Sequence, residues 1–343
     1  MPGHKRNTSL LGEHLPYALD ITEIEGFDHL QHPRGVLREI AQRAQTLWGS
    51  GGAYLSVNGS TGAILAGIRA MTQRGDKIIV ARNCHMSVFH AIELCGLRPV
   101  FLEPEWLPAW GIFGRVTQQN FDALREEHPE AALCVLTSPS YEGMISEIHT
   151  DMPLLIDAAH GAHLDLPQAD IVVHSLHKTL PALTQTALLH VQGERVDRER
   201  LEHNLRVFQT SSPSYVLLAS IGQCVALLEE HRAAWFAAWR QRLDAFYSHA
   251  QAWQNLKLFQ PDDRSKLLVQ CDAAQAADFL RARNIEPEYA HENRVLLLTS
   301  PCDTDEMMAK LTHALDELDA CTTPAAGDFP VPLPAYRWFS PKV

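Results

Sequence analysis

Apolar residues in this chain fall into short runs divided by polar turns, and from residue 53 onward the runs alternate in kind. Residues 53–58, 77–81, 98–102, 132–137, 154–157, 171–174 and 186–191 are brief and apolar, as strands are. Residues 63–72, 86–95 and 121–128 place apolar side chains three and four positions apart, as helices do. This alternation predicts βαβ units and hence an α/β fold, with a mostly parallel sheet and helices on both faces. Ligands of such sheets bind beyond the carboxyl ends of the strands. The pattern changes after residue 213. Residues 214–254 form a long helix-favouring stretch with a break expected near Ala233. A smaller α+β unit follows, with strands at 266–269 and 294–299 and helices at 273–283 and 304–319. The chain thus divides into an N-terminal segment (1–31), a large α/β domain (32–213), a linking helix (214–255), a small α+β domain (256–321) and a proline-rich tail (322–343) expected to lie extended on the surface.

Composition narrows the class. Lys and Arg number 29 against 41 Asp and Glu, a net charge of −12 and the wrong sign for a nucleic-acid binder. A hydrophobic content of 46% suffices for a sizeable core. No apolar run approaches the roughly 18 residues of a membrane span. Residues 1–20 lack the apolar stretch of a secretory signal. The seven cysteines (84, 95, 134, 224, 271, 302 and 321) are odd in number, scattered and never in C-x-x-C spacing. A reduced, cytoplasmic protein is expected, with neither a disulfide framework nor a cysteine–zinc site.

Three motifs could carry chemistry. Asn58-Gly59-Ser60-Thr61-Gly62 follows a strand and opens a helix. Glycine permits the tight turn, and the free N–H groups of a first helical turn attract an anion, so Ser60 and Thr61 read as a phosphate cradle. They read equally as an ordinary helix cap. Asp157 ends an apolar strand and begins Asp157-Ala158-Ala159-His160-Gly161-Ala162-His163. A buried aspartate needs a partner; Asp157, His160 and His163 could bind a metal, or Asp157 could cap a helix. Lys178 stands 21 residues after Asp157, in His174-Ser175-Leu176-His177-Lys178-Thr179. It reads as a solvated loop lysine, as a carboxylate's partner, or as an amine able to form an imine with a carbonyl. A phosphate cradle, a strand-end carboxylate and a lysine together are what pyridoxal 5′-phosphate requires, and no metal site is then needed.

In these motifs the chain resembles the Orn/Lys/Arg decarboxylase family of fold-type-I, aminotransferase-like pyridoxal-phosphate enzymes. The resemblance rests on Pro2-Gly3-His4-Lys5, Asp20-Ile21-Thr22-Glu23 with Gly26-Phe27-Asp28, Asn58-Gly59-Ser60-Thr61, Arg82-Asn83-Cys84-His85, Thr137-Ser138-Pro139-Ser140-Tyr141-Glu142-Gly143, Asp157 to His163, Ser175 to Leu180, and Thr210-Ser211-Ser212-Pro213-Ser214-Tyr215. These segments run in family order over about two thirds of the chain. The resemblance implies a short form, without the further N- and C-terminal domains of the large decarboxylases. It implies that Lys178 holds the cofactor as an imine, that Asp157 pairs with the pyridinium nitrogen, and that Ser60, Thr61, Ser175 and His177 hold the phosphate. It further implies that His85 stacks on the ring, Ala159 packs the opposite face, and His160 lies near the ring hydroxyl or supports Asp157. Ser211 and Ser212, in the turn at 210–214, are implied to reach a partner subunit's phosphate site, making a homodimer the minimum. Met86 departs from the lysine that many relatives carry there.

The implied reaction is decarboxylation of an amino acid, expected to be lysine, ornithine or arginine, with Lys178 or His85 returning a proton to the α-carbon. Asp20, Glu23, Glu25 and Asp28 are candidates for the distal substrate cation and read equally as a solvated acidic surface. Rival readings are a transaminase, with Arg294 holding a second carboxylate; a desulfurase using Cys271 or Cys302; a non-catalytic cofactor-binding protein; and a metal-dependent hydrolase.

Overall fold

The computed structural model describes residues 2–324 and Phe329, so most of the proline-rich tail lies outside the described residues. The strands of the first part of the chain are β1 (Gly52–Ser56), β2 (Lys77–Ala81), β3 (Arg98–Leu102), β4 (Trp106–Leu107), β5 (Ile112–Phe113), β6 (Leu133–Thr137), β7 (Leu154–Asp157), β8 (Ile171–Ser175) and β9 (Ala187–Val191). Apart from the β4–β5 hairpin they form a seven-stranded sheet in the order β1-β9-β8-β7-β6-β2-β3. Strands β3, β2, β6, β7 and β8 are parallel, and β9 is antiparallel to both of its neighbours. The helices are α1 (Thr8–Leu11), α2 (Val36–Trp48), α3 (Gly59–Met71), α4 (Met86–Cys95), α5 (Gln118–Glu127), α6 (Leu176–Thr179), α7 (Arg198–Phe208), α8 (Tyr215–His249), α9 (Ala273–Arg281) and α10 (Asp305–Cys321).

The central strands read as unbroken apolar runs because they are buried on both faces. One core joins Ile64 and Ile68 of α3, Phe89 of α4 and Phe121 of α5 to Ile79, Val135 and Leu155 of the sheet. A second joins α2 and the start of α8 to Leu55 and Leu188. Helix α2 buries Leu37, Ile40, Ala44 and Trp48, one stripe at helical spacing, and stops at Gly49, whose φ of 69° suits glycine.

Helix α8 runs unbroken for 35 residues, against the break expected near Ala233. Its middle contains neither Gly nor Pro, Ala is the best helix former, and the buried stripe continues from Leu228 to Phe236 and Trp239. Its second half packs on a four-stranded antiparallel sheet, in the order β10 (Lys257–Leu258), β11 (Lys266–Gln270), β13 (Arg294–Leu298) and β12 (Tyr289–His291). Among the described residues no helix is long and apolar enough to cross a membrane.

Register sets the place where chemistry can occur. Thr137 pairs with Asp157, Ser175 with Ala187, and Ala187 also with Ser56. The carboxyl ends of β1, β6, β7 and β8 therefore lie side by side along one end of the sheet.

Candidate active site

The loop from β1 into α3 is built around Gly59, whose φ is 70°. Gly59 donates its N–H to the Gln185 carbonyl at 2.9 Å and accepts from Ser56 Oγ at 2.9 Å. The turn delivers Ser60 and Thr61 to the first turn of α3, where helix geometry leaves N–H groups without intrahelical partners. Ser175, at the end of β8, donates its hydroxyl to Ser60 Oγ at 2.9 Å, so two of the expected anion ligands meet directly. His177 Nδ1 lies 3.2 Å from the Thr186 carbonyl, which orients its ring. Ser211 and Ser212 are exposed, and their turn is tied to the same loop by the Thr210 N–H, 3.3 Å from Asn58 Oδ1.

Asp157 is 2% exposed at the end of β7. Its Oδ1 accepts the Ala159 N–H at 3.1 Å, which also fixes Ala159 beside it. Among the described residues no cationic side chain comes within ion-pair distance of it. Burial pushes its carboxyl up, against the Ala159 bond and the more distant charges of Lys178 and His85. His85 caps α4, its Nδ1 accepting the Ser87 N–H at 3.2 Å; the neutral ring then carries its proton on Nε2. Partial burial and the Lys178 charge lower its basicity, while Asp157 opposes them.

Lys178 Nζ lies 2.9 Å from His160 Nε2. Burial lowers the lysine from its ordinary value, and Lys266 adds to the effect, while Asp157 and Glu288 oppose it. His160 is driven far below the usual imidazole range by burial and by the Lys178 and Lys266 charges. Burial thus weakens both bases, and His160 Nε2 accepts from the Lys178 amine.

The structure separates other expected residues. Asp157, His160 and His163 do not converge: His160 turns to Lys178, and His163 Nε2 lies 3.1 Å from Asp263. Arg294 pairs with Glu292 at 2.8 Å through one terminal nitrogen and acts on Glu142 at longer range. Cys271 is buried, its thiol pushed up to about 12 by burial. Of the N-terminal acids, Asp28 accepts four backbone N–H groups, from His29, Arg34, Gly35 and Leu37, and is a clasp at the start of α2. Asp20 lies 2.9 Å from His4.

Glu288 also acts on the lysine. The Tyr141 hydroxyl donates to Glu288, and the Tyr141 ring meets the His160 ring edge-on at 4.7 Å. Tyr141 stacks on Tyr289 at 5.7 Å, and the Tyr289 hydroxyl reaches Glu142 at 3.5 Å. Sequence reasoning quoted Tyr141 and Glu142 within a motif without a role and missed Glu288. Glu288 carried no signal in the sequence, because it precedes β12, a strand of three residues that no periodicity marks.

The donor set suits pyridoxal phosphate. It offers hydroxyls at a helix start for the phosphate, a buried carboxylate without a cation, and a lysine of weakened basicity. His160 Nδ1, buried and without a partner, leaves one further polar atom for a bound group. Comparison with known proteins agrees. The model of the Orn/Lys/Arg decarboxylase major domain matches residues 5–261. The chain belongs to this family. An uncharacterized Bacillus subtilis protein, YaaO, is 34% identical over 87% of this chain and 68% of its own length. The arginine decarboxylase of Bacillus anthracis is 29% identical over 93% of this chain and 73% of its own. The solved E. coli constitutive lysine decarboxylase superposes with a TM-score of 0.78 at 19% identity, over 93% of this chain. This family member spans 58% of that structure's chain, little more than half. Sphingomonas wittichii serine palmitoyltransferase shares the fold more distantly, with a TM-score of 0.68 at 15% identity. The fold is accordingly that of the fold-type-I pyridoxal-phosphate enzymes, and the family implies this cofactor.

Proposed function

We propose that this chain is a pyridoxal-phosphate-dependent decarboxylase that converts a basic amino acid to carbon dioxide and an amine. The observation that carries the reading is Asp157, a buried carboxylate with no cation paired to it among the described residues, at the same sheet end as the Lys178–His160 pair. Ser60, Thr61, Ser175 and His177 would hold the phosphate, Asp157 the ring nitrogen, His85 and Ala159 the ring faces, and Lys178 the covalent link. When bound, the cofactor supplies an electron sink for the charge left when carbon dioxide departs.

The chain's own residues account for the rest. Asp157 keeps a negative charge fixed where a ring nitrogen must stay protonated. His160 Nε2 accepts from the Lys178 amine across their 2.9 Å contact and holds it in place. Lys178, or His85 through its Nε2 proton, is placed to protonate the substrate's α-carbon. Glu288 and Glu142, beside Tyr141 and Tyr289, would receive a distal ammonium or guanidinium, together with Glu23, whose Oε1 is buried without a partner among the described residues.

A homodimer is part of the proposal. Its supports are the exposed Ser211 and Ser212 and an N-terminal segment that leaves Leu10, Leu15, Leu19 and Phe27 in solvent. Seven free cysteines favour a reducing, cytoplasmic setting. The test of the cofactor site is to load the protein with pyridoxal phosphate, reduce it with borohydride and map the modified peptide. The label is expected on Lys178. A label elsewhere, or no uptake, overturns the reading.

A further inference from the structure

Lys266, on β11, is a lysine with a wholly buried side chain. Its Nζ lies 3.3 Å from Asp263 Oδ2 and donates to Ser265 Oγ at 3.1 Å and to the His160 carbonyl at 3.4 Å. Asp263 is nearly as buried, and its Oδ1 accepts from His163 Nε2 at 3.1 Å and from the Ser265 N–H at 3.1 Å. Asp263 also donates its N–H to the Gly143 carbonyl at 2.9 Å. Gly143 has a φ of 90°, and a β-carbon there would come within 2.8 Å of the Asp263 carbonyl and 3.0 Å of Lys266 Cγ. The small sheet thus grips residues 160–163 at two points and the loop around residue 143 at a third.

A buried ion pair is seldom a net gain over apolar residues of the same volume, so stability alone does not explain a lysine here. Its position does. His160, held by its carbonyl from Lys266, is the residue whose ring touches Lys178. We propose that Lys266 is a positioning residue: its ammonium clamps the 157–163 loop so that His160 meets the Lys178 amine, and it sets a fixed positive charge behind that amine. This rests on the reading of Lys178 as the cofactor lysine. The charged and titratable groups facing Lys178 are Asp157, His160, His85, His177, Glu288 and Lys266; Lys266 is the one cation among them, and it belongs to the small sheet.

The test uses cofactor-free protein. Acetylation of Lys178 by acetic anhydride is followed against pH by peptide mass spectrometry, with exposed Lys257 as the internal reference. In Lys266→Met the Lys178 midpoint should rise by about half a pH unit or more, roughly a threefold fall in neutral amine at fixed pH. Lys266→Arg, which keeps the charge, should move it less. Hydrogen exchange of residues 157–163 should quicken in Lys266→Met while that of β6 is unchanged. Because Lys266→Met strands Asp263, the paired variant with Asp263→Asn guards against misfolding and should show the same loop exchange. An unmoved midpoint with unchanged loop exchange in a folded variant overturns the proposal. So does a paired variant that cannot fold, since Lys266 would then serve only the core. Borohydride labelling of the wild-type protein away from Lys178 would defeat the cofactor reading instead, whatever the acetylation shows.

Discussion

Asp157→Asn should act in opposite directions on the empty and the loaded protein. The carboxylate is 2% exposed and holds one backbone hydrogen bond, which an amide oxygen can keep. Burial raises its folded-state pKa above the ordinary value. As pH rises past about 4, where the unfolded chain ionises, the folded state is penalised until the raised folded value is passed. Above that window the penalty is constant, and asparagine removes it. A buried polar group left without its partner costs about 1–3 kcal/mol, and more when charged. The cofactor-free variant should therefore be more stable at pH 7 by about 2 kcal/mol. At about 2.1 cal/mol/K per residue, that is a rise of roughly 3 °C in Tm for a chain of this length. At pH 3 the gain should vanish. The loaded variant should lose roughly a hundredfold or more in kcat, the scale for removing one fixed electrostatic group from a reacting centre. Thermal melts of the empty protein from pH 3 to 8, with rates after reconstitution, measure both. A variant less stable when empty at pH 7 would show that the carboxylate is paired within the fold. Undiminished turnover would show that it does not serve the ring.

Asp28→Ala should weaken folding by about 0.5–2 kcal/mol, the range for a lost helix cap, and leave the KM for substrate unchanged. The backbone bonds to Asp28 lower its pKa despite some burial, so its contribution is full above the ordinary carboxylate range and lost as pH falls through the lowered value; acid titration of stability checks the sign. Ser60→Ala should weaken pyridoxal phosphate binding about tenfold, read by equilibrium dialysis, as for one hydrogen bond to a charged group. Mixing inactive Lys178→Ala chains with inactive chains altered at Ser211 and Ser212 should restore some activity, because one hybrid site is then intact. Hybrids that form and stay inactive would show that each site draws on one chain.

Much of this was legible because the central strands are buried on both faces and announce themselves as apolar runs ending in Asp157 and Ser175. The strands β10 and β12 are two and three residues long, too short to show any period. Helix α2, with its buried stripe at residues 37, 40, 44 and 48, lies ahead of the strand–helix alternation and has no preceding strand to frame it. The Lys178 motif was visible as a set of residue types, but the His160 contact depends on how the 157–163 turn folds back. Lys266 and Glu288 were missed for a related reason: chain distance hides what β11 and β12 bring to the large sheet. Asp28 looked free because its backbone clasp leaves no composition signal.

The central claim is the reaction, and the product of that reaction decides it. Protein reconstituted with pyridoxal phosphate should be incubated separately with arginine, lysine and ornithine, with carbon dioxide and the organic product measured together. One of the three is expected to yield its amine with carbon dioxide in equal amount. A keto acid formed without carbon dioxide, or no turnover of any basic amino acid, would contradict the account.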